Sequence, residues 1–377
     1  MTSSQESSKD GAPAGANCDP LMGIESLAGA FHPHAIEVQD FLYYARVIDL
    51  RPRAEYEHDH IPDAVNVEAP AEPTVGSPGA EAPLVATEPG RAQTWPALDA
   101  AVADVRLDEA ILVYCGRGGL VSTPVARALR WRGWTTDVLP GGWINYRRWV
   151  QAGLEVLPRL VPFRLVACTL GSENARVLGA LRSAGEQVLD FEALASWRRL
   201  AFSPVAAAQP TQPWFESLLL RELRAFDPRR PVWVPDVGPI LGVLMLPGAV
   251  VDALSIAPRT ELSVPAAARI EAWVADEPLC ADAPALVQRV SALDPPPAPA
   301  LRERWTQMLT TGAIGALLAS ILQDFFDEMC ASDRAARGGR HHALAPLAAE
   351  ALAPEPLSGA AADYIRRLAP PGDPAAT

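Results

Sequence analysis

Lysine is almost missing from this 377-residue chain: of 32 Lys and Arg residues, only Lys9 is a lysine. It lies in a stretch of Ser, Gly, Ala and Pro, residues 1–30, whose composition predicts a disordered tail. A Schiff-base lysine, a protein-kinase lysine and a phosphate-loop lysine are therefore excluded from the folded part. Positive charge is also in deficit. Asp and Glu number 45, the net charge is -13 and the pI is near 5.0. No global field draws such a chain to nucleic acid or to an anionic membrane, so any RNA partner needs a local arginine patch. There is no CxxC pair and no zinc-type cluster among Cys18, Cys115, Cys168, Cys280 and Cys330, which fits reduced thiols in a cytosol. His58 and His60 have no third histidine or cysteine nearby in sequence, and no metal site is expected there. The longest apolar runs, near 240–251 and 312–322, fall short of a membrane span, and no apolar signal segment opens the chain. A cytoplasmic protein is expected.

What is present is enough apolar material, 49% of residues, for two domain cores. The fold class read from the pattern is α/β, a doubly wound parallel sheet followed by a second α/β domain. Arg46–Leu50 and Ala110–Tyr114 are short apolar runs of the buried-strand type, separated by a Pro-rich loop at 69–94. Ser122–Trp131 has helical spacing, and a strand at 136–139 and a helix at 143–152 close a first domain spanning 31–157. The strand-then-helix pattern restarts after Pro158 and Pro162, with strands at 163–168, 187–190, 231–235 and 261–264. Helices are expected at 174–184, 266–274, 301–309 and 316–329 in this second domain, 158–355, with a disordered tail at 356–377.

Cys115 stands between the end of a buried strand and the start of a helix, followed by Gly116, Arg117, Gly118 and Gly119, with Ser122 at the helix start. Glycines there let several N–H groups converge into an anion nest, which lowers a thiol pKa and can hold the charge of a persulfide. Arg117 adds a fixed cation for an anionic donor. The expected role of Cys115 is a nucleophile carrying sulfur or selenium. Cys168, Cys280 and Cys330 lie in apolar contexts and read as inert core thiols.

The segment resembles the active-site loop of a rhodanese domain. The upstream half agrees: Asp49 and Arg51, Glu55 and Tyr56, then His60-Ile61-Pro62-Asp63-Ala64-Val65-Asn66, where Asp63 replaces a glycine of the pattern. Asp49, Arg51 and Glu55 read as scaffold. With the second domain, the chain resembles the tRNA 2-selenouridine synthase family, on Cys115–Gly119 with Ser122, Gly141–Trp143 with Tyr146–Trp149, and Gln209–Gln212 with Phe215–Ser217. The resemblance implies conversion of wobble-position 2-thiouridine in tRNA to 2-selenouridine, with selenophosphate or a sulfur donor as co-substrate, no bound cofactor, and an essential cysteine.

It also implies a phosphate loop, and there the chain departs. In Cys168-Thr169-Leu170-Gly171-Ser172-Glu173-Asn174-Ala175 only Gly171 and Ser172 survive from the family pattern; Asn174 replaces the lysine, Ala175 the magnesium-binding hydroxyl, and Glu173 brings an acid. Arg176, about 200° round a helix from Asn174, would point away. Ordinary ATP or GTP hydrolysis is not expected. Arg127, Arg130, Arg132, Arg147 and Arg148, with Arg221, Arg224, Arg229 and Arg230, form the candidate tRNA face; the alternative is solvated helix faces paired with carboxylates. Two other functional readings stay open: a paralogue that transfers sulfur to a small molecule or protein without acting on tRNA, and a non-catalytic interaction module.

Overall fold

The computed structural model describes residues 41–69, 95–116, 119–200, 202 and 208–368. The tail expected at 1–30 and all but the first residue of the Pro-rich loop lie outside them. The first domain runs β1 (Arg46–Asp49), α1 (Arg53–His58), β2 (Val65–Asn66), α2 (Pro96–Val102), β3 (Ala110–Tyr114), α3 (Ser122–Trp131), β4 (Thr135–Val138) and α4 (Gly142–Val156). Its sheet is parallel in the order β2-β1-β3-β4. All five residues of β3 are buried, the pattern of a central strand covered on both faces. Asp63, which stands where the rhodanese pattern has glycine, has φ +67°, a left-handed conformation that Asp tolerates better than most residues.

The second domain runs β5 (Phe163–Ala167), α5 (Gly171–Ser183), β6 (Gln187–Val188), α6 (Phe191–Leu194), α7 (Gln212–Ala225) and β7 (Val232–Pro235). A two-stranded antiparallel hairpin, β8 (Ile240–Leu241) and β9 (Leu244–Met245), then precedes α8 (Gly248–Ile256) and β10 (Arg259–Ser263). Helices α9 (Ala266–Asp276), α10 (Ala283–Ser291), α11 (Pro299–Thr311), α12 (Ile314–Ser320) and α13 (Glu328–Arg337) follow, then β11 (Leu347–Ala348) and α14 (Pro354–Leu368). The sheet is parallel, in the order β11-β10-β5-β7-β6.

Two sequence expectations need correction, and one helix was not foreseen. The tail expected from 356 is ordered up to 368: α14 buries Leu357, Ala361 and Tyr364, spaced by four and three, and packs along α5. Alanine-rich composition suggested disorder, but Ala is the best helix former and the apolar stripe supplies the docking face. The helix expected at 316–329 is interrupted by a π-helical stretch, Ile321–Asp327. Helix α7, for which no element was expected, starts where the Thr211 side chain caps the Trp214 N–H and Pro213 occupies the first turn.

The domains share one core. Leu154 of α4 and Leu219, Leu220 and Leu223 of α7 belong to the same buried cluster as Val47, Leu112 and Phe163. A Cβ at Gly153 would fall 2.6 Å from Leu220 Cδ1, so a residue without a side chain is what lets α4 and α7 approach this closely.

Candidate active site

Cys115 directly follows β3 and is 3% exposed. Its Sγ lies 3.4 Å from Ser122 Oγ at the start of α3, and its carbonyl accepts the Trp143 N–H at 3.0 Å. Burial pushes the thiol pKa up, but the Ser122 hydroxyl and the backbone N–H groups of Ser122, Val121 and Gly119 outweigh it, and the net value lies below that of a free cysteine. Gly119 makes this turn at φ +102°, a conformation other residues rarely adopt. The donors that reach the sulfur are therefore the second half of the loop and the helix N-terminus. Gly116 lies against Arg51 and Glu55, while Arg117 and Gly118 fall outside the described residues. Burial raises the thiol pKa of Cys168, Cys280 and Cys330, as expected of inert core cysteines.

Ser122→Ala removes the hydroxyl donor without touching the backbone. It is expected to raise the Cys115 pKa, seen as an upward shift of the pH midpoint for iodoacetamide alkylation. An unchanged midpoint would mean that the backbone donors alone set it.

Behind the loop, the Arg51 guanidinium grips Asp49 through Nε and Nη2, donates to the Asp59 carbonyl at 2.5 Å and lies 4.7 Å above the Trp143 ring. Tyr114 donates its hydroxyl to Asp49 at 2.7 Å and accepts the Ile61 N–H at 3.1 Å. Asp49 and Arg51 are therefore scaffold, tying β1 and β3 to the segment before the loop. Glu55, 55% exposed, stands at the edge of this group, 4.0 Å from Arg51.

The same segment meets the second domain. His60 is stacked between Tyr56 at 3.8 Å and Trp214 of α7 at 3.9 Å, Thr211 donates to the His58 carbonyl, and Ser217 donates to Asp59 at 2.7 Å. His60 thus has a packing role, and among the described residues no group of three or more metal-ligating side chains occurs. Asp59 is fully buried; Arg147 approaches its Oδ2 at 3.2 Å, as an ion pair without hydrogen-bond geometry. Burial raises the Asp59 pKa from 3.8 to about 6, against the opposing pull of Ser217, Arg147 and Arg51. A carboxyl with a raised native pKa binds its proton more tightly when folded, so its contribution to stability is largest at low pH and is lost as pH rises from about 4 to 6. The loss is about 3 kcal/mol at most, and Asp59→Asn should flatten that part of a urea-unfolding profile.

The candidate tRNA arginines do not stand free as a group. Arg132 pairs with Asp99, Arg147 with Asp59 and Glu216, and Arg221 with Asp63 and Glu222, while Arg130 donates to the Thr136 carbonyl. Arg224 lies over Trp149 and Arg230 donates to the Gly185 carbonyl. Arg147, Arg221 and Arg224 belong to the seam between the domains. That seam also holds a cleft of about 410 Å³ lined by Phe41, Tyr44, Tyr146 and Trp149; none of its lining residues is in the cysteine loop.

At the second loop, α5 starts at Gly171, and Ser172 follows in its first turn. Asn174 donates to Glu192 at 2.7 Å, and Arg176 is turned away to Asp276 and the Leu352 carbonyl, as the helical rotation predicts. Glu173 is 1% exposed and folds back onto the loop.

Residues 35–148 match the rhodanese-like domain profile, and residues 161–284 match that of the tRNA 2-selenouridine synthase AAA domain. With these two matches in this order, the chain is similar to the tRNA 2-selenouridine synthases. Curated relatives of that name include one from Aeromonas salmonicida, 29% identical over 46% of this chain and 46% of its own length. Another, from Nitrosomonas europaea, is 26% identical over 67% of this chain and 66% of its length, and one from Sulfurovum is 31% identical over 42% and 43%. The chain thus matches about half the length of the first of these synthases. Among the described residues no helix is long and apolar enough to cross a membrane.

Proposed function

We propose that this chain is a transferase that moves sulfur or selenium through Cys115, acting on tRNA as the relatives' name describes. The observation that carries the proposal is the buried Cys115 sulfur with Ser122 and three backbone N–H groups directed at it. A thiolate held this way attacks a sulfane sulfur of a donor; the donor's leaving group departs with the bonding electrons, and the new persulfide anion stays within reach of the same donors. Handing the terminal atom to an acceptor returns the thiolate, so the cycle has no net redox requirement. A sulfane-sulfur donor enters this cycle as co-substrate; selenophosphate, whose selenium is at the selenide level, would instead give its selenium directly to the acceptor carbon with phosphate and sulfide as the groups released, and no bound cofactor is invoked.

A second reading, sulfur transfer to an acceptor other than tRNA, is favoured by the ion-paired state of Arg132, Arg147 and Arg221. Nucleoside mass spectrometry of tRNA from cells with and without the gene separates the two. Loss of 2-selenouridine in the deletion supports tRNA as acceptor; an unchanged tRNA profile, with persulfide still forming on Cys115, supports the second reading.

A further inference from the structure

Where β5 turns into α5, the backbone N–H groups of Thr169 and Leu170 both point at one oxygen, Glu173 Oε2, at 3.0 and 3.2 Å. The other carboxylate oxygen accepts Arg269 Nε of α9 at 2.7 Å. Arg269 also donates through both terminal nitrogens to Asp327 at 2.9 and 2.8 Å, and Asp327 accepts the Thr169 hydroxyl at 2.5 Å. A strand-to-helix loop whose N–H groups converge on an oxyanion, with an arginine reaching it from another element, is how such loops hold a phosphate. Here the oxyanion belongs to the chain.

We infer that Glu173 is an internal substitute for a phosphate ligand: it fills the anion position of the loop and, through Arg269 and Asp327, fastens the Ile321–Asp327 segment onto it. The second domain then keeps this arrangement with no phosphate compound bound. A glutamate in the first turn of a helix commonly accepts the N-cap N–H at the surface. That ordinary role does not explain the burial of Glu173 or the arginine brought to it from 96 residues away. Two further observations agree. Glu173 and Asp327 share the single cation Arg269, so an incoming phosphate would meet net repulsion. No lysine stands by to offset it, because Asn174 is turned to Glu192 and Arg176 to Asp276.

The inference goes beyond the transfer chemistry, and its test does not involve Cys115. Thermal unfolding of the full chain is followed with and without inorganic phosphate or pyrophosphate at about 10 mM, for wild type and for Glu173→Ala/Asp327→Asn. Wild type should show no shift. The double variant, with its nest emptied and Arg269 released, should gain a rise of about 3–5 °C that disappears when Arg269→Gln is added. A wild-type rise as large as the variant's, or a folded double variant with no rise, overturns the inference. If the double variant does not fold, Glu173→Gln decides by hydrogen exchange. Exchange about tenfold faster across 321–337, with α3 unchanged, supports the inference, and unchanged protection there sinks it.

Discussion

Replacing Cys115 by serine is expected to lower sulfur transfer by at least about 10³-fold while moving the melting temperature by no more than about 2 °C. The thiolate is the group that makes and breaks the chalcogen bond. An alcohol, far less acidic and a poor acceptor for sulfane sulfur, cannot form the adduct even though the same N–H groups remain to greet it. The fold should hardly notice. Serine is smaller than cysteine but sits beside Ser122 Oγ and the N–H groups of Gly119, Val121 and Ser122, so its hydroxyl finds partners in the space the sulfur leaves. Thiosulfate-dependent transfer to cyanide, together with intact-protein mass for the added sulfur, reads the effect. Transfer retained within tenfold would assign the chemistry elsewhere in the chain.

Arg51→Met should cost about 3–5 kcal/mol of stability, the largest structural effect expected of a single change in the first domain. Asp49 is fully buried and receives the Arg51 backbone N–H, three bonds from its guanidinium and the Tyr114 hydroxyl. Taking the guanidinium away leaves a buried carboxylate with no counter-charge, held only by the Tyr114 hydroxyl and the backbone N–H of residue 51. It also frees the Asp59 carbonyl and removes the cation from the Trp143 face. Pairing the change with Asp49→Asn should recover a large part of the loss, since most of it is an uncompensated charge rather than a missing contact. Urea unfolding of the two variants checks both numbers; a single-variant loss below about 1 kcal/mol would contradict this account. Transfer activity should fall as well, because Trp143 donates its N–H to the Cys115 carbonyl.

The parts of this arrangement that were legible in the sequence are local. The five apolar residues that lead into Cys115 read as a buried strand, and Ser122, seven residues on, opens α3, although Val121 holds the N-cap position and no side-chain cap bond forms there. The Gly-rich turn between them suggests an anion nest; of its expected donors Gly119 reaches the sulfur, joined by Val121 and Ser122, while Gly118 lies outside the described residues. Partners distant along the chain carried no such signal. Thr169 meets Asp327 across 158 residues, and His60 lies between Tyr56 and Trp214 only because α7 packs beside α4. Arginines show the same gap: on a helical wheel Arg147 and Arg221 look like a solvated basic face, but the carboxylates that claim them, Asp59 and Asp63, arrive from the other domain's sequence or a different element. Composition misled at α14, where Ala and Pro suggested a tail while Leu357, Ala361 and Tyr364 form the stripe that docks on α5.

Gly153 allows α4 and α7 to touch, and that contact has a consequence for how the chain can be divided. A rhodanese fragment ending near residue 157 would leave the α4 face that meets Leu220 open to water, and a second-domain fragment would strand Ser217, Trp214 and the buried leucines of α7. The two halves are therefore interdependent in the way subunits of an obligate dimer are. A duplication or transplant of either half alone would have to bring along, or reinvent, the helix that covers it.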